Sequence, residues 1–287
     1  MRPAAAAMKA LLESSPFELM PGCGDGMSAR LIAEAGFGIG FASGSSIAAM
    51  RLAMPDMDLL SFPEMRDAVE NIVTAAPSVL WLADGDTGYG NEFAVQRTIR
   101  SYAKLGAAAV LIEDKQWPRP LTAGGAKLTV ERDAAILRIR AAAQAAREEG
   151  ILLLARTDSR PSRGFPEAVA RIEAFVAEGA DILFLDSPAD EAEMRQAVKV
   201  SGGKPHISVT APASKHYCPD DAHLQACGIR IAVYPQEPLA GAVAGIRAAL
   251  ASMKGGPKSA FASPAELAVA IRRDDYLAAE AKLAGKG

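Results

Sequence analysis

Two aspartates one residue apart close an apolar run in SVLWLADGDTGYGN, residues 78–91. No basic residue neighbours Asp84 or Asp86 in sequence. Further acids end later apolar runs: Glu113 and Asp114 close AAVLIED, Asp158 closes ILLLARTD and Asp186 ends DILFLD. Carboxylates gathered in one place repel one another and resist burial. A hard divalent cation resolves that conflict, and Mg²⁺, which takes oxygen ligands and keeps several waters, suits such a set. Asp84 and Asp86 fall on one face of an extended strand by its two-residue period. Any one of these acids could instead cap a helix or pair with a surface lysine. Their recurrence at successive strand ends favours a shared site. Ser43-Gly44-Ser45 ends another run with small residues whose N–H groups could cradle a carboxylate. Arg156, two residues before Asp158, could grip an oxyanion bidentately or form a structural ion pair with Asp158, Asp186 or Glu113.

The elements that must position these residues repeat in one order. A short apolar run, a turn and a longer amphipathic segment recur eight times, the runs lying at 17–22, 37–44, 78–86, 108–114, 151–158, 181–187, 205–210 and 229–235. The runs are apolar throughout rather than alternating, as in strands covered on both faces. Gly36, Gly106, Gly150, Gly179 and Gly228 punctuate helix ends. Eight such units in about 250 residues predict an α/β fold, a closed (β/α)₈ TIM barrel, with active sites where strands run into βα loops. A doubly wound sheet is the alternative. Residues 1–287 read as one barrel domain, with 256–287 a C-terminal helical extension whose start is marked by Ser263-Pro264 and Glu266.

Composition narrows the function. A net charge of −3 over 287 residues gives no bulk attraction to nucleic acid or acidic membranes. No run approaches the ~18 apolar residues of a membrane span. The opening residues lack a signal-peptide core and read as a helix. Cys23, Cys218 and Cys227 show no C-x-x-C spacing, so reduced thiols and a cytoplasmic location are expected. His206, His216 and His223 are read as lacking metal spacing, with His206 a core or rim residue.

Together MPGCGDGMSARLIAEAGF, FASGS, MPDMDLLSFPEM, ADGDTGYGN, IEDKQWP, ARTDSR and GADILFLD resemble the isocitrate lyase/phosphoenolpyruvate mutase superfamily, in the family's order over most of residues 20–187. The resemblance implies a barrel binding Mg²⁺, with Mn²⁺ as a substitute, and a small 2-oxo or 2-hydroxy acid. It makes Asp84 the direct metal ligand and has Asp56, Asp86 and Glu113 hold the metal's water shell. Ser43, Gly44, Ser45 and Arg156 would hold the substrate. Asp186 falls where the family usually has glutamate, and Ser208 where an asparagine is common. A homotetramer, a dimer of dimers with exchanged terminal helices, is also implied.

The departures bear on the reaction. Family lyases carry K-[KR]-C-G-H in the loop after the fourth strand. Here Arg119 stands at the lysine position, Leu121 at the cysteine and Ala123 at the histidine. Leu111 replaces another histidine and Phe41 a tyrosine. With the thiol acid gone, oxaloacetate decarboxylation through a pyruvate enolate is the expected chemistry, and the chain resembles the family's decarboxylases lacking that cysteine. Pro235 stands where one such decarboxylase has histidine. Phosphonopyruvate-type mutase or hydrolase chemistry, or a degenerate barrel that only binds an oxo acid, are the alternatives. The loop 115–128 is expected to act as a lid hinged at Gly124-Gly125, with Trp117 or Arg119 closing over the substrate.

Overall fold

The computed structural model describes residues 1–120, 127–210, 219–258 and 260–285. Eight parallel strands form a closed barrel in sequence order: β1 (Glu18–Cys23), β2 (Ile39–Ala42), β3 (Leu80–Asp84), β4 (Ala109–Glu113), β5 (Leu152–Thr157), β6 (Ile182–Leu185), β7 (His206–Val209) and β8 (Ile231–Tyr234). β8 closes on β1, with Glu18 opposite Ile231 and Pro21 opposite Tyr234. This closure excludes the doubly wound alternative. Each strand falls on its expected apolar run and ends one or two residues inside it, except that β1 runs one residue past, to Cys23.

The helices follow from local signals. Helix α1 (Pro3–Ser14) precedes the first strand. Asp25 opens α2 (Gly26–Glu34) by accepting from Ser28 N at 2.7 Å. Residues 44–52, which the repeat of run, turn and amphipathic segment does not mark as a helix, form α3 (Gly44–Leu52). The segment GSSIAAMRL carries no strong apolar period, and burial of Gly44, Ser46, Ile47 and Ala48 against the barrel stabilises it instead. Ser61 and Glu64 make a capping box for α4 (Phe62–Ala75), and Asn91 caps α5 (Glu92–Leu105). Then come α6 (Arg132–Glu149), the short α7 (Arg160–Arg163), α8 (Phe165–Glu178), α9 (Glu191–Val200) and α10 (Asp221–Ala226). Gly106, Gly150 and Gly179 end α5, α6 and α8 with left-handed backbone. After β8, α11 (Glu237–Met253), α12 (Pro264–Ala270) and α13 (Arg273–Leu283) complete the chain.

Two apolar layers hold the barrel. The outer one joins strand faces to helices through Met65, Ile72, Trp81, Ile99, Ile139 and Phe175. The inner one fills the lumen with Met20, Phe41, Leu82, Leu111, Leu154, Phe184, Ile207 and Val233. Helix α1 adds Ala5, Met8 and Leu12 to this inner layer. Burying Met8 and Leu12 contributes about 2 kcal/mol each before chain entropy is charged. Among the described residues no helix is long and apolar enough to cross a membrane.

Candidate active site

The carboxyl ends of the strands open into a cavity of ≈300 Å³ lined by Ser43, Ser45, Asp56, Asp84, Lys127, Arg156, Asp186 and Gln236, with Phe41, Leu111, Phe184, Ile207, Val209 and Val233 below them. The lower wall is the top of the lumen core, so polar groups stand on an apolar floor. Such a floor keeps the local dielectric low and strengthens every charge interaction above it.

One side of the rim is built from β2, β3 and β4. Asp84 ends β3, and its Oδ2 accepts from Gly44 N at 3.0 Å, at the N-terminus of α3. A Cβ on residue 44 would lie 2.8 Å from that oxygen, so glycine is required for the approach. Asp84 Oδ1 accepts from Asp86 N at 3.1 Å. Asp86 itself lies past the strand end with left-handed backbone, φ 47°. The strand period therefore stops at Asp84, and the two aspartates do not share one face as the alternation predicts. Asp86 instead lines an adjoining crevice with Asp56 and Gly44 and accepts from Tyr89 OH at 2.5 Å. Glu113 ends β4, with Lys115 Nζ 2.7 Å from Oε1 and Arg156 Nε 3.3 Å from Oε2.

Burial, reinforced by mutual repulsion, raises these acids. Burial and then the Asp56 charge lift Asp84. Burial, Asp84 and Glu113 push Asp86 well above the usual carboxylate range. Burial brings Glu113 up to about 7 against the pull of Lys115 and Arg156. This desolvated, electron-rich donor set suits a hard cation. The three acids do not form a compact ligand triad. Among the described residues, the trio with donor atoms within 4.8 Å of one another is Glu191, His223 and Cys227, outside this cavity. His223, which lacks metal spacing to the other histidines, stands one helical turn from Cys227.

The opposite side of the rim, from β5 and β6, is an ion web. Arg156 donates twice to Asp158, from Nε at 2.8 Å and Nη2 at 2.7 Å, and once to Asp186 at 2.9 Å. Its guanidinium also lies over the Phe184 ring. Lys127 Nζ completes the web, 2.8 Å from Asp186 Oδ2 and 3.0 Å from Asp158 Oδ1. Burial alone would raise Asp158, but Arg156 and Lys127 hold it well below the usual range. Asp114 faces the other way. It accepts from Thr157 Oγ1, Asp158 N and Arg171 Nη1, pinning the end of β5 from behind.

Other sequence-predicted residues are placed as follows. Ser43 and Ser45 line the cavity with their hydroxyl oxygens 3.0 Å apart. Ser208 does not line it: Ile207 and Val209 do, and strand alternation turns the residue between them away, correcting its assignment to the substrate. Arg119 is likewise absent from the wall, and its backbone N–H donates to Asp58 Oδ2 at 2.6 Å. The Gly124-Gly125 hinge lies outside the described residues. Cys23 is a buried filler whose thiol burial pushes up to about 12. His206 is a core residue that burial lowers to about 4. Lys127, Tyr89 and Gln236 also belong to the site, and no strand-end position in the sequence marks them.

The phosphoenolpyruvate phosphomutase family model matches residues 8–254. Oxaloacetate decarboxylase of Paraburkholderia xenovorans is 37% identical over 61% of this chain and 60% of its own length. Oxaloacetate acetylhydrolase, solved with the inhibitor 3,3-difluorooxalacetate, superposes with TM-score 0.91 at 29% identity, covering 99% of this chain and 98% of that one. Phosphonopyruvate hydrolase, solved with oxalate and Mg²⁺, superposes with TM-score 0.84 at 26% identity over 98% and 99% of the two chains. With the closed barrel and acids at its strand ends, the chain belongs to the phosphoenolpyruvate mutase/isocitrate lyase superfamily.

Proposed function

We propose that this chain is a Mg²⁺-dependent carbon–carbon lyase acting on a small 2-oxo or 2-hydroxy acid, and that oxaloacetate decarboxylation is its reaction. The observation that carries this is the division of the cavity between metal-seeking carboxylates on one rim and Arg156 on the other, over an apolar floor. Asp84 would hold the ion directly, with Asp56, Asp86 and Glu113 on its waters. Bound Mg²⁺ supplies Lewis-acid stabilisation of the oxyanion that develops on the 2-oxo group. Ser43, Gly44 and Ser45 orient the 1-carboxylate. Arg156, fixed by Asp158 and Asp186, offers a preorganised positive charge to the same oxyanion. Phe41, Leu111 and Val233 exclude water from the breaking bond. Among the described residues the wall carries no cysteine or histidine, which favours a reaction whose first step needs no side-chain acid.

Phosphonopyruvate chemistry is the second reading, supported by the likeness to a phosphonopyruvate hydrolase. Protein with MgCl₂ would be incubated with oxaloacetate, methylisocitrate or phosphonopyruvate, with and without EDTA. Pyruvate from oxaloacetate far above the spontaneous rate, abolished by EDTA, is expected. Phosphate or a rearranged phosphonate would support the second reading. Oxalate binding without turnover would leave a binding protein.

We also propose assembly through exchanged helices, toward a dimer of dimers. Helix α11 buries none of its seventeen residues, although an eighth barrel helix would ordinarily cover β8 and β1. It exposes Val243, Ile246, Leu250 and Met253. Beside it runs an apolar groove of ≈650 Å³ including Leu19, Met27, Leu31, Phe37 and Ile246. The α11 of a second copy suits that groove in size and chemistry. Light scattering should give a multiple of 29.9 kDa, and Ile246→Asp with Leu250→Asp should give the monomer. A wild-type monomer would end this proposal.

A further inference from the structure

The loss of the loop cysteine leaves open which group protonates the enolate after carbon dioxide departs. Resting on the lyase reading above, we propose that Lys127 is that donor. Its side chain lines the cavity together with Asp84 and Arg156, which places an N–H acid in the same chamber as the metal-seeking carboxylate. Its ammonium is fixed by two carboxylates, at 2.8 Å to Asp186 and 3.0 Å to Asp158. An ammonium has three donors, so a third N–H remains for a ligand. The side chain is 34% exposed, so water can reload it from the cavity mouth.

The other groups on the wall serve this step poorly. Arg156 is a guanidinium, too weak an acid to release its proton, and it is engaged with Asp158, Asp186 and Glu113. Ser43 and Ser45 are weakly acidic hydroxyls, and Gln236 is an amide. Asp84 and Asp56 belong to the metal side. The placement of Lys127 also suits decarboxylation electrostatically. A bare cation beside the departing carboxylate would stabilise the starting acid and slow bond breaking. Here Lys127 shares Asp158 and Asp186 with Arg156, so its charge is only partly turned toward the substrate and its third N–H serves as the proton source.

The step balances. The C3–C4 bond breaks, carbon dioxide leaves with C4, and the electron pair forms the C2–C3 double bond as charge passes to the C2 oxygen. When the C2 carbonyl re-forms, that pair takes a proton from Lys127 Nζ to C3. The neutral amine then recovers a proton from water.

The test uses 3-methyloxaloacetate in D₂O with Mg²⁺-loaded wild type, Lys127→Arg and Lys127→Met. Lys127→Arg keeps a cation for Asp158 and Asp186 but has no usable acid. The 2-oxobutanoate product is chiral at deuterated C3, and its configuration is read by trapping reduction and NMR. Wild type should yield one enantiomer. Lys127→Arg should yield a racemate as solvent protonates released enolate, and kcat on oxaloacetate should fall about 10²- to 10⁴-fold. Its oxalate affinity, by calorimetry, should stay within about threefold. Stereospecific product from Lys127→Arg at near wild-type rate overturns the assignment and leaves the lyase reading intact. Wild type without metal-dependent turnover of oxaloacetate overturns both. Lys127→Met repeats the comparison without the charge: a racemate supports the assignment and one enantiomer overturns it.

Discussion

The two sides of the rim are made from the same residue type at equivalent places, yet they behave oppositely. Asp84 ends β3 and is half-buried, Asp158 follows β5 and is buried, and both lose solvation in the rim. Asp84 has two backbone N–H donors and acids for neighbours, and it is raised. Asp158 has Arg156 and Lys127, and it is lowered. Desolvation is common to both, so the neighbours decide the sign. The difference separates an acid placed to attract a cation from one placed to hold a cation already in the chain.

The sharpest way to break this comparison is to make the same substitution on each side. Asp84→Asn should abolish metal-dependent turnover by at least about 10³-fold, with the melting temperature of metal-free protein unchanged or raised, because repulsion is relieved. Asp158→Asn should cost about 3–5 kcal/mol by leaving cations under-compensated, a fall in melting temperature of roughly 5–15 °C. Equal melting curves for the two variants would erase the distinction. Next in size, Gly44→Ala should push Asp84 off its donor and lower kcat/KM about 10- to 100-fold, with little change in the melting curve.

The pH response sharpens the contrast further. Glu113 is near 7 in the folded chain and ordinary when unfolded, so the folded state holds more protons between about pH 4.5 and 7. Its contribution to stability is therefore full at the acid end of that window and lost as pH rises through it. Asp158 contributes the reverse, its stabilisation falling away as pH drops below about 4. EDTA-treated protein should melt highest near pH 5, and Mg²⁺ should flatten or reverse the decline toward neutrality. A flat EDTA profile across that window would contradict the burial argument. The smallest effect is expected at Asp58→Ala, which frees the Arg119 backbone and should raise KM about two- to fivefold with kcat little changed.

The barrel was legible because its strands are uniformly apolar and its helices end in glycine, features that survive without tertiary knowledge. The acids Asp84, Glu113 and Asp186 were legible as strand ends. The orientation of Asp86 was not, because a left-handed residue just past the strand breaks the alternation on which the reading relied. Ser208 was misjudged for the complementary reason: alternation does hold there, and it points the side chain away. Helix α3 was missed because its stabilisation comes from packing rather than pattern. Lys127 gave no local sign of its place, since its two partners lie 31 and 59 residues away in sequence.

Helix α1 has a practical consequence. Its Ala5, Met8 and Leu12 stopper the amino end of the barrel, and Arg2 latches the stopper by donating to Glu149 and the Gly150 carbonyl. Deleting residues 1–14 would unplug the lumen and wet the underside of the same apolar column whose top is the reaction floor. A cut made far from the chemistry would then reach it from below.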